Sequence, residues 1–112
     1  MNYDVIIIGA GPGGIFAAYE LVESAKNLKI AVFDSGHALD RRKCPIDGVK
    51  IKSCIGCKPC SIMSGFGGAG AFSDGKFNLG TAYGGTLGEE LGDELANKYI
   101  DEVDKILVKY CT

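Results

Sequence analysis

Two groups of residues have the types and spacing to do chemistry. The first is the run Gly9-Ala10-Gly11-Pro12-Gly13-Gly14, which matches G-x-G-x-x-G. In such a run Gly9 permits a tight turn and Gly11 lets the backbone approach a pyrophosphate. Gly14 allows a helix to pack closely on a strand. Free N–H groups at the helix start, with a partial positive charge of roughly half a unit, then hold the diphosphate. Asp34 follows 20 residues after Gly14, where a carboxylate can accept from a ribose hydroxyl. Its charge would repel a 2′-phosphate, which disfavours NADP. The second group is Cys54, Cys57 and Cys60 in the form C-x2-C-x2-C, with Cys44-Pro45 supplying a fourth thiol before a nine-residue spacer. Three thiolates at this spacing can wrap one corner of an iron–sulfur cube. Structural zinc also accepts four thiolates, although it more often shows two separated pairs. Cys57 with Cys60 also has the form of a redox dithiol, and inert thiols are a third reading. The spacing favours metal, with a [4Fe–4S] cluster slightly ahead of zinc. Lys58 and nearby Lys50, Lys52, Arg41, Arg42 and Lys43 would offset the charge of such a centre. Cys111 stands alone and reads as a core or surface thiol.

A second glycine run, Gly65-Phe66-Gly67-Gly68-Ala69-Gly70, satisfies the same pattern. It follows Cys60-Ser61-Ile62-Met63-Ser64 rather than a strand, and a turn, Ser73-Asp74-Gly75, comes soon after. It is therefore not a second nucleotide fingerprint. Its use is close backbone approach, either to a flat ligand or to the first βαβ unit, with a flexible loop as the plain alternative. His37 is the sole histidine and lies in a polar loop. No Ser-His-Asp arrangement or histidine metal motif can be built from it.

The elements around these groups follow from periodicity. Tyr3 to Ile8 is a nearly continuous β-branched run, as in a parallel strand buried on both faces. Ile15 to about Ala25 reads as a helix, with Ile15, Ala18, Val22 and Ala25 at helical spacing. Asn27-Leu28 turns the chain. Lys29 to Asp34 is a second short strand, ended by Ser35-Gly36. Residues 1–36 are thus the size of a βαβ crossover unit. Residues 37–85 form a Cys- and Gly-rich segment, in which Asp47-Gly48 signals a turn and Val49 to Lys52 alternates like a short exposed strand. Residues 86–112 read as a helix opened by a capping box, Thr86-Leu87-Gly88-Glu89. Gly92 splits it into a short turn and a main helix from about Asp93. Leu91, Leu95, Tyr99, Val103, Ile106 and Tyr110 share one face.

Composition sets the outer limits. The chain has 112 residues, 46% apolar and 23% charged, which suits one small ordered domain. Its net charge of −2 gives no general attraction for nucleic acid or an anionic membrane. No apolar run reaches the ~18–20 residues of a spanning helix. The opening residues lack the basic region of a signal peptide, so the expected compartment is the cytoplasm. The 17 glycines are about twice the usual share of ~7% and follow no fixed period. Five cysteines without a secretion signal point to metal or redox chemistry rather than a disulfide framework.

The stretch Asp4 to Gly14, with Ala18, Leu21 and Asp34-Ser35-Gly36, resembles the N-terminus of FAD-dependent oxidoreductases of the glutathione-reductase type. Gly67-Gly68-Ala69-Gly70-Ala71-Phe72-Ser73-Asp74-Gly75-Lys76 resembles a block in a family of NAD(FAD)-utilising dehydrogenases. Members of that family are several times longer, so the resemblance implies a truncated FAD-binding domain. The implied fold is α/β, an incomplete Rossmann-like unit with a cysteine-bearing irregular segment and a C-terminal helix. By the resemblance, Gly9, Gly11, Gly14 and Asp34 carry the ADP half of FAD, with Pro12, Gly13 and Ser35 in the same turns. Gly68, Ala69 and Gly70 would lie near the flavin half. The implied activity is FAD-dependent oxidoreduction by the parent protein, with NAD(P)H a candidate electron donor and no catalytic side chain identified. Two other readings stay open: an NAD-binding dehydrogenase domain, and a non-catalytic module stabilised by iron–sulfur or zinc. The chain alone is expected to be inactive. Its sheet edges and last helix should stay partly exposed unless the rest of the parent chain or an oligomer partner covers them.

Overall fold

A computed structural model describes residues 2–25 and 27–111. The element order is β1 (Val5–Ile8), α1 (Pro12–Ser24), β2 (Ile30–Phe33), two single 3-10 turns at Leu39–Arg41 and Ala69–Phe72, α2 (Leu87–Leu91) and α3 (Asp93–Tyr110). The architecture is mixed α/β, with an incomplete Rossmann-like unit at its start. The chain divides into two compact units, Met1–Gly75 and Lys76–Thr112.

In the first unit β1 and β2 pair in parallel, in the register Val5 with Ile30 through Ile8 with Phe33. Asp4 fixes the start of this pairing, because its N–H donates to the Lys29 carbonyl at 2.9 Å while its carboxylate accepts the Lys29 N–H at 2.8 Å. Tyr3 meets the Phe33 ring edge-on, with centroids 6.5 Å apart. Helix α1 starts three residues before the periodicity alone suggests. Pro12 takes its first position, where a missing N–H costs nothing and the fixed φ suits the helix. Beyond α1, Asn27 adopts φ 94°, a left-handed turn that Asn tolerates better than most residues.

Burial departs from the sequence expectation. The β-branched run of β1 suggests a strand covered on both faces, yet only Val5 and Ile7 are half-buried. Ile6 and Ile8 are 57% and 81% exposed. A strand alternates its side chains, and α1 covers one face only. The fully buried apolar residues of the described chain are Ala10 and Ala96.

Between β2 and residue 75 the chain is irregular. Val49 to Lys52 forms no strand. The Asp47 carboxylate instead accepts the N–H groups of Val49, Lys50 and Ile51 at 2.7–2.9 Å, and the Asp47 and Gly48 N–H groups donate to the Ile51 carbonyl. Those bonds take the donors a sheet ladder would use. In the second unit Gly92, at φ 79°, separates α2 from α3. Thr86 stands at the N-cap of α2 but makes no side-chain cap bond, so the capping box does not form. A neighbouring hydroxyl, that of Thr81, donates to Asp93 at 2.9 Å. The packed face of α3 is centred on buried Ala96 with half-buried Ile100, Val103 and Leu107, displaced from the Leu95–Tyr99 stripe. Among the described residues no helix is long and apolar enough to cross a membrane.

Candidate functional site

The first glycine turn connects the end of β1 to the start of α1, and its geometry depends on absent side chains. Gly9 has φ 100°, a conformation glycine adopts at no steric cost. Its N–H donates to the Phe33 carbonyl at 2.6 Å, so the turn begins from the sheet itself. Gly14 lies in the first turn of α1, pressed onto that glycine. A Cβ at Gly14 would overlap the Gly9 carbonyl oxygen and come within 3.3 Å of the Ile7 side chain. Ideal Cβ positions on Gly9 and Gly13, by contrast, meet nothing within 4 Å. The first bond closing α1 runs from the Ile15 N–H to the Gly11 carbonyl at 3.0 Å. Gly13 and Gly14 therefore precede it, in the turn where helix N–H groups lack intrahelical acceptors. Bare backbone beside open space, at the positive end of a helix dipole, fits the diphosphate of a dinucleotide.

Asp34 leaves the end of β2 and reaches back under this turn. Its two carboxylate oxygens accept the N–H groups of Ala10 and Gly36, each at 2.8 Å. These bonds hold its carboxyl below the ordinary 3.8, Ala10 first and Gly36 next. The Gly65 N–H and the Arg42 charge add to the effect, against some desolvation. An ionised carboxylate offers about four acceptor positions. Three backbone donors leave about one for a ligand hydroxyl. Ser35, between Asp34 and Gly36, is exposed.

The second glycine loop packs on the first. Gly67 donates its N–H to the Ala10 carbonyl at 2.8 Å. Gly68, at φ 58°, comes so close that a Cβ there would lie 3.0 Å from the Gly11 Cα and 3.3 Å from Pro12 Cδ. A Cβ at Gly70 would touch the Pro12 ring at 3.7 Å, while Ala69 is exposed. Of the uses the sequence allows for this loop, approach to the first βαβ unit is thus present, at its glycine turn.

What holds the loop there is Arg42. Its side chain is 3% exposed and donates to the carbonyls of Ser61, Ile62 and Phe66 at 2.9, 2.6 and 2.5 Å. Its guanidinium also stands 4.8 Å from the centre of the Phe72 ring. Five donors in a planar fork allow one side chain to collect three carbonyls. The Phe66 N–H completes the attachment by donating to the His37 carbonyl at 3.2 Å. From sequence alone Arg42 is one of several cations near the cysteines. Nothing in the run Arg41-Arg42-Lys43 marks the middle residue as the buried one.

The four clustered cysteines come together. Cys44, Cys54, Cys57 and Cys60 line one small cavity with Pro45, Ile46, Ile55, Ser61 and Ile62. Cys57 and Cys60 are half-buried, Cys44, Cys54 and Cys111 are exposed, and all five are free thiols. The Met63 and Ile62 N–H groups push the Cys60 thiol below its ordinary 9.0, and the Arg42 charge adds to them against desolvation. Among the described residues no set of three or more His, Cys, Asp or Glu side chains is already placed to hold a metal ion. His37 is exposed and contributes backbone bonds, pairing in a bridge with Gly65.

Comparison with known proteins bears on this arrangement. Residues 3–107 match the family described as pyridine nucleotide-disulphide oxidoreductase. No curated protein and no solved structure matches the chain.

Proposed function

The chain belongs to the pyridine nucleotide-disulphide oxidoreductases, and we propose that its first glycine turn binds the ADP half of FAD. In this reading Gly9, Gly11, Pro12, Gly13 and Gly14 surround the diphosphate, and Asp34 with Ser35 faces the adenosine ribose. Residues 1–36 form the nucleotide unit. Residues 37–85 are the Cys- and Gly-rich segment and residues 86–112 the helical one. The observation that carries the proposal is the junction at Gly14, where α1 starts so close to Gly9 that only glycine fits. That closeness aims the helix N-terminus at open space beside bare backbone.

Each residue has a separate task. Gly11, at φ −75°, keeps a surface without a side chain, so that phosphate oxygens can reach the N–H groups of Gly13 and Gly14. Asp34 keeps Ala10 in place and offers its remaining lone pair to one ribose hydroxyl. A 2′-phosphate would bring like charge against the carboxylate, so NADP is disfavoured. Gly68, Ala69 and Gly70 extend the wall of the turn towards the flavin half. FAD, when bound, supplies the hydride and electron chemistry, while the protein binds, orients and tunes it. NAD(P)H is the candidate electron donor. FAD is preferred over NAD because both glycine blocks resemble those of FAD-dependent dehydrogenases. The chain alone would bind weakly and not turn over, since a flavin pocket must bury most of its ligand.

The test is Gly11→Val studied by calorimetry with FAD, ADP and NAD. A Cβ at Gly11 meets only the Gly68 Cα, at 4.0 Å, and circular dichroism on the variant checks that the two further methyl groups leave the fold in place. Its methyl groups would occupy the diphosphate space and abolish binding. Equal affinity of parent and variant for all three ligands removes the site assignment. Binding of NAD but not FAD selects the NAD-dehydrogenase alternative.

A further inference from the structure

We propose that Cys44, Cys54, Cys57 and Cys60 bind a single divalent ion of zinc-like chemistry. Three separate stretches of chain bring these thiols to one cavity. Each approach is fixed by something other than the thiols. Between Cys44 and Cys54 the Asp47 carboxylate collects three successive N–H groups and closes the loop. Between Cys54 and Cys57 Gly56 takes φ 69°, a left-handed conformation that glycine adopts without steric cost. Beyond Cys60 the Ser64 N–H donates to the Cys60 carbonyl at 2.8 Å, while Arg42 holds the carbonyls of Ser61 and Ile62.

The donor set and the space available narrow the occupant. The cavity measures about 20 Å³ and its lining includes no charged side chain. A volume of ~10–15 Å³ on this measure holds one water. One ion fits this space as it stands, whereas a cube of four irons and four sulfides needs the surrounding chain to open, and on that ground we place zinc ahead of the cluster that spacing alone slightly favours. Four thiolates suit a soft or borderline ion, and zinc takes four of them tetrahedrally in closed structural sites. A redox dithiol would need two cysteines and gives no reason for the other two to line the same cavity. The thiols line it without yet forming a ligand set, so the ion must draw the sulfurs together and displace their protons, as ions that complete their own sites do. A divalent ion with four thiolates carries a net charge of −2. Lys52 and Lys58, which flank the Cys54–Cys57 pair in sequence, offset it. The ion would anchor the near end of a segment whose far end, Gly67 and Gly68, lies on the first glycine turn. The site does not depend on the FAD proposal, since either can fail alone.

The experiment is elemental analysis of the full chain purified without chelator, with a free-thiol count on the same sample. Zinc at one per chain, retained by Cys111→Ser and reduced to a trace by Cys57→Ser, is the expected result. Should Cys57→Ser fail to fold, cobalt exchanged into the parent chain gives the second readout. Tetrahedral thiolate coordination shows intense visible bands that octahedral cobalt lacks. Iron with equimolar acid-labile sulfide overturns the single-ion proposal. So does metal-free protein in which two of the five thiols are missing from the count. Metal retained when all four clustered cysteines are replaced by serine overturns it as well.

Discussion

Replacing Gly14 and Gly13 in turn by alanine separates two effects that a helix start usually confounds. Helix propensity favours alanine over glycine by up to ~1 kcal/mol at either position. At Gly13 nothing opposes it, because the new Cβ meets no atom within 4 Å. At Gly14 the new Cβ overlaps the Gly9 carbonyl oxygen and lies 3.1 Å from the carbonyl carbon. Gly9 cannot easily yield, since its N–H is bonded to Phe33 at 2.6 Å. On the other side Ile7 stands at 3.3 Å. Forcing a methyl into such a contact costs typically 1–3 kcal/mol. After the propensity gain, Gly14→Ala should be destabilising by up to ~2 kcal/mol and Gly13→Ala stabilising by up to ~1, so that the two differ by the packing cost of about 1–3. At ~4–8 °C per kcal/mol for a domain of this size, their melting temperatures should differ by roughly 4–24 °C, followed by far-ultraviolet circular dichroism. If Gly14→Ala melts at or above the parent temperature, propensity has won. Then α1 does not press on Gly9, and the argument for the glycine turn loses its support.

Two further outcomes follow from the packing around this turn. Arg42→Lys keeps the charge but has one ammonium where three carbonyls wait, so hydrogen exchange at the Phe66 and Gly67 N–H groups should quicken about tenfold or more. That is the equivalent of one lost charged hydrogen bond of ~1.5 kcal/mol. Unchanged exchange there would mean the second glycine loop is held by something other than Arg42. Asp34 is depressed in the folded chain chiefly by the Ala10 and Gly36 N–H groups, so its contribution is fully present above the ordinary 3.8 and is lost as pH falls through the lower folded value. The urea midpoint should be flat above about pH 5 and drop below 3.8, less steeply in Asp34→Asn; the drop that remains belongs to Asp47, depressed in the same way by Ile51 and Val49. An identical acid limb in parent and Asp34→Asn would show that the carboxylate does not hold the turn.

What could be read from the sequence divides along a physical line. The glycine turn, the parallel strands and the break at Gly92 were legible because each depends on neighbours in the chain: φ freedom, period and helix stops are local properties. Val49 to Lys52 misled because alternation does not reveal a competing acceptor, and the Asp47 side chain takes those N–H groups within a few residues. Thr86 misled similarly, since a capping box in the sequence does not ensure that its bonds form. Arg42 was illegible for a different reason. Its partners Ser61, Ile62 and Phe66 lie 19 to 24 residues away, and all are backbone carbonyls, which leave no mark on residue type.

Arg42 also explains how a unit with so little apolar burial can hold its two glycine loops together. A buried guanidinium is costly unless its donors are satisfied, and here three carbonyls and the Phe72 ring meet it. The same residue fixes Ser61 and Ile62 beside the thiol cavity and Phe66 beside Gly67, which bonds Ala10 at the base of the first turn. Only Met63 and Ser64 therefore separate the cavity wall, Ser61 and Ile62, from the second glycine loop, which begins at Gly65, and one cation is bonded on both sides of them. Displacement of either end strains the bonds that hold the other. Arg42 thus bonds backbone beside the cysteine cavity and backbone beside the glycine turn, even though no cysteine lies in the fingerprint.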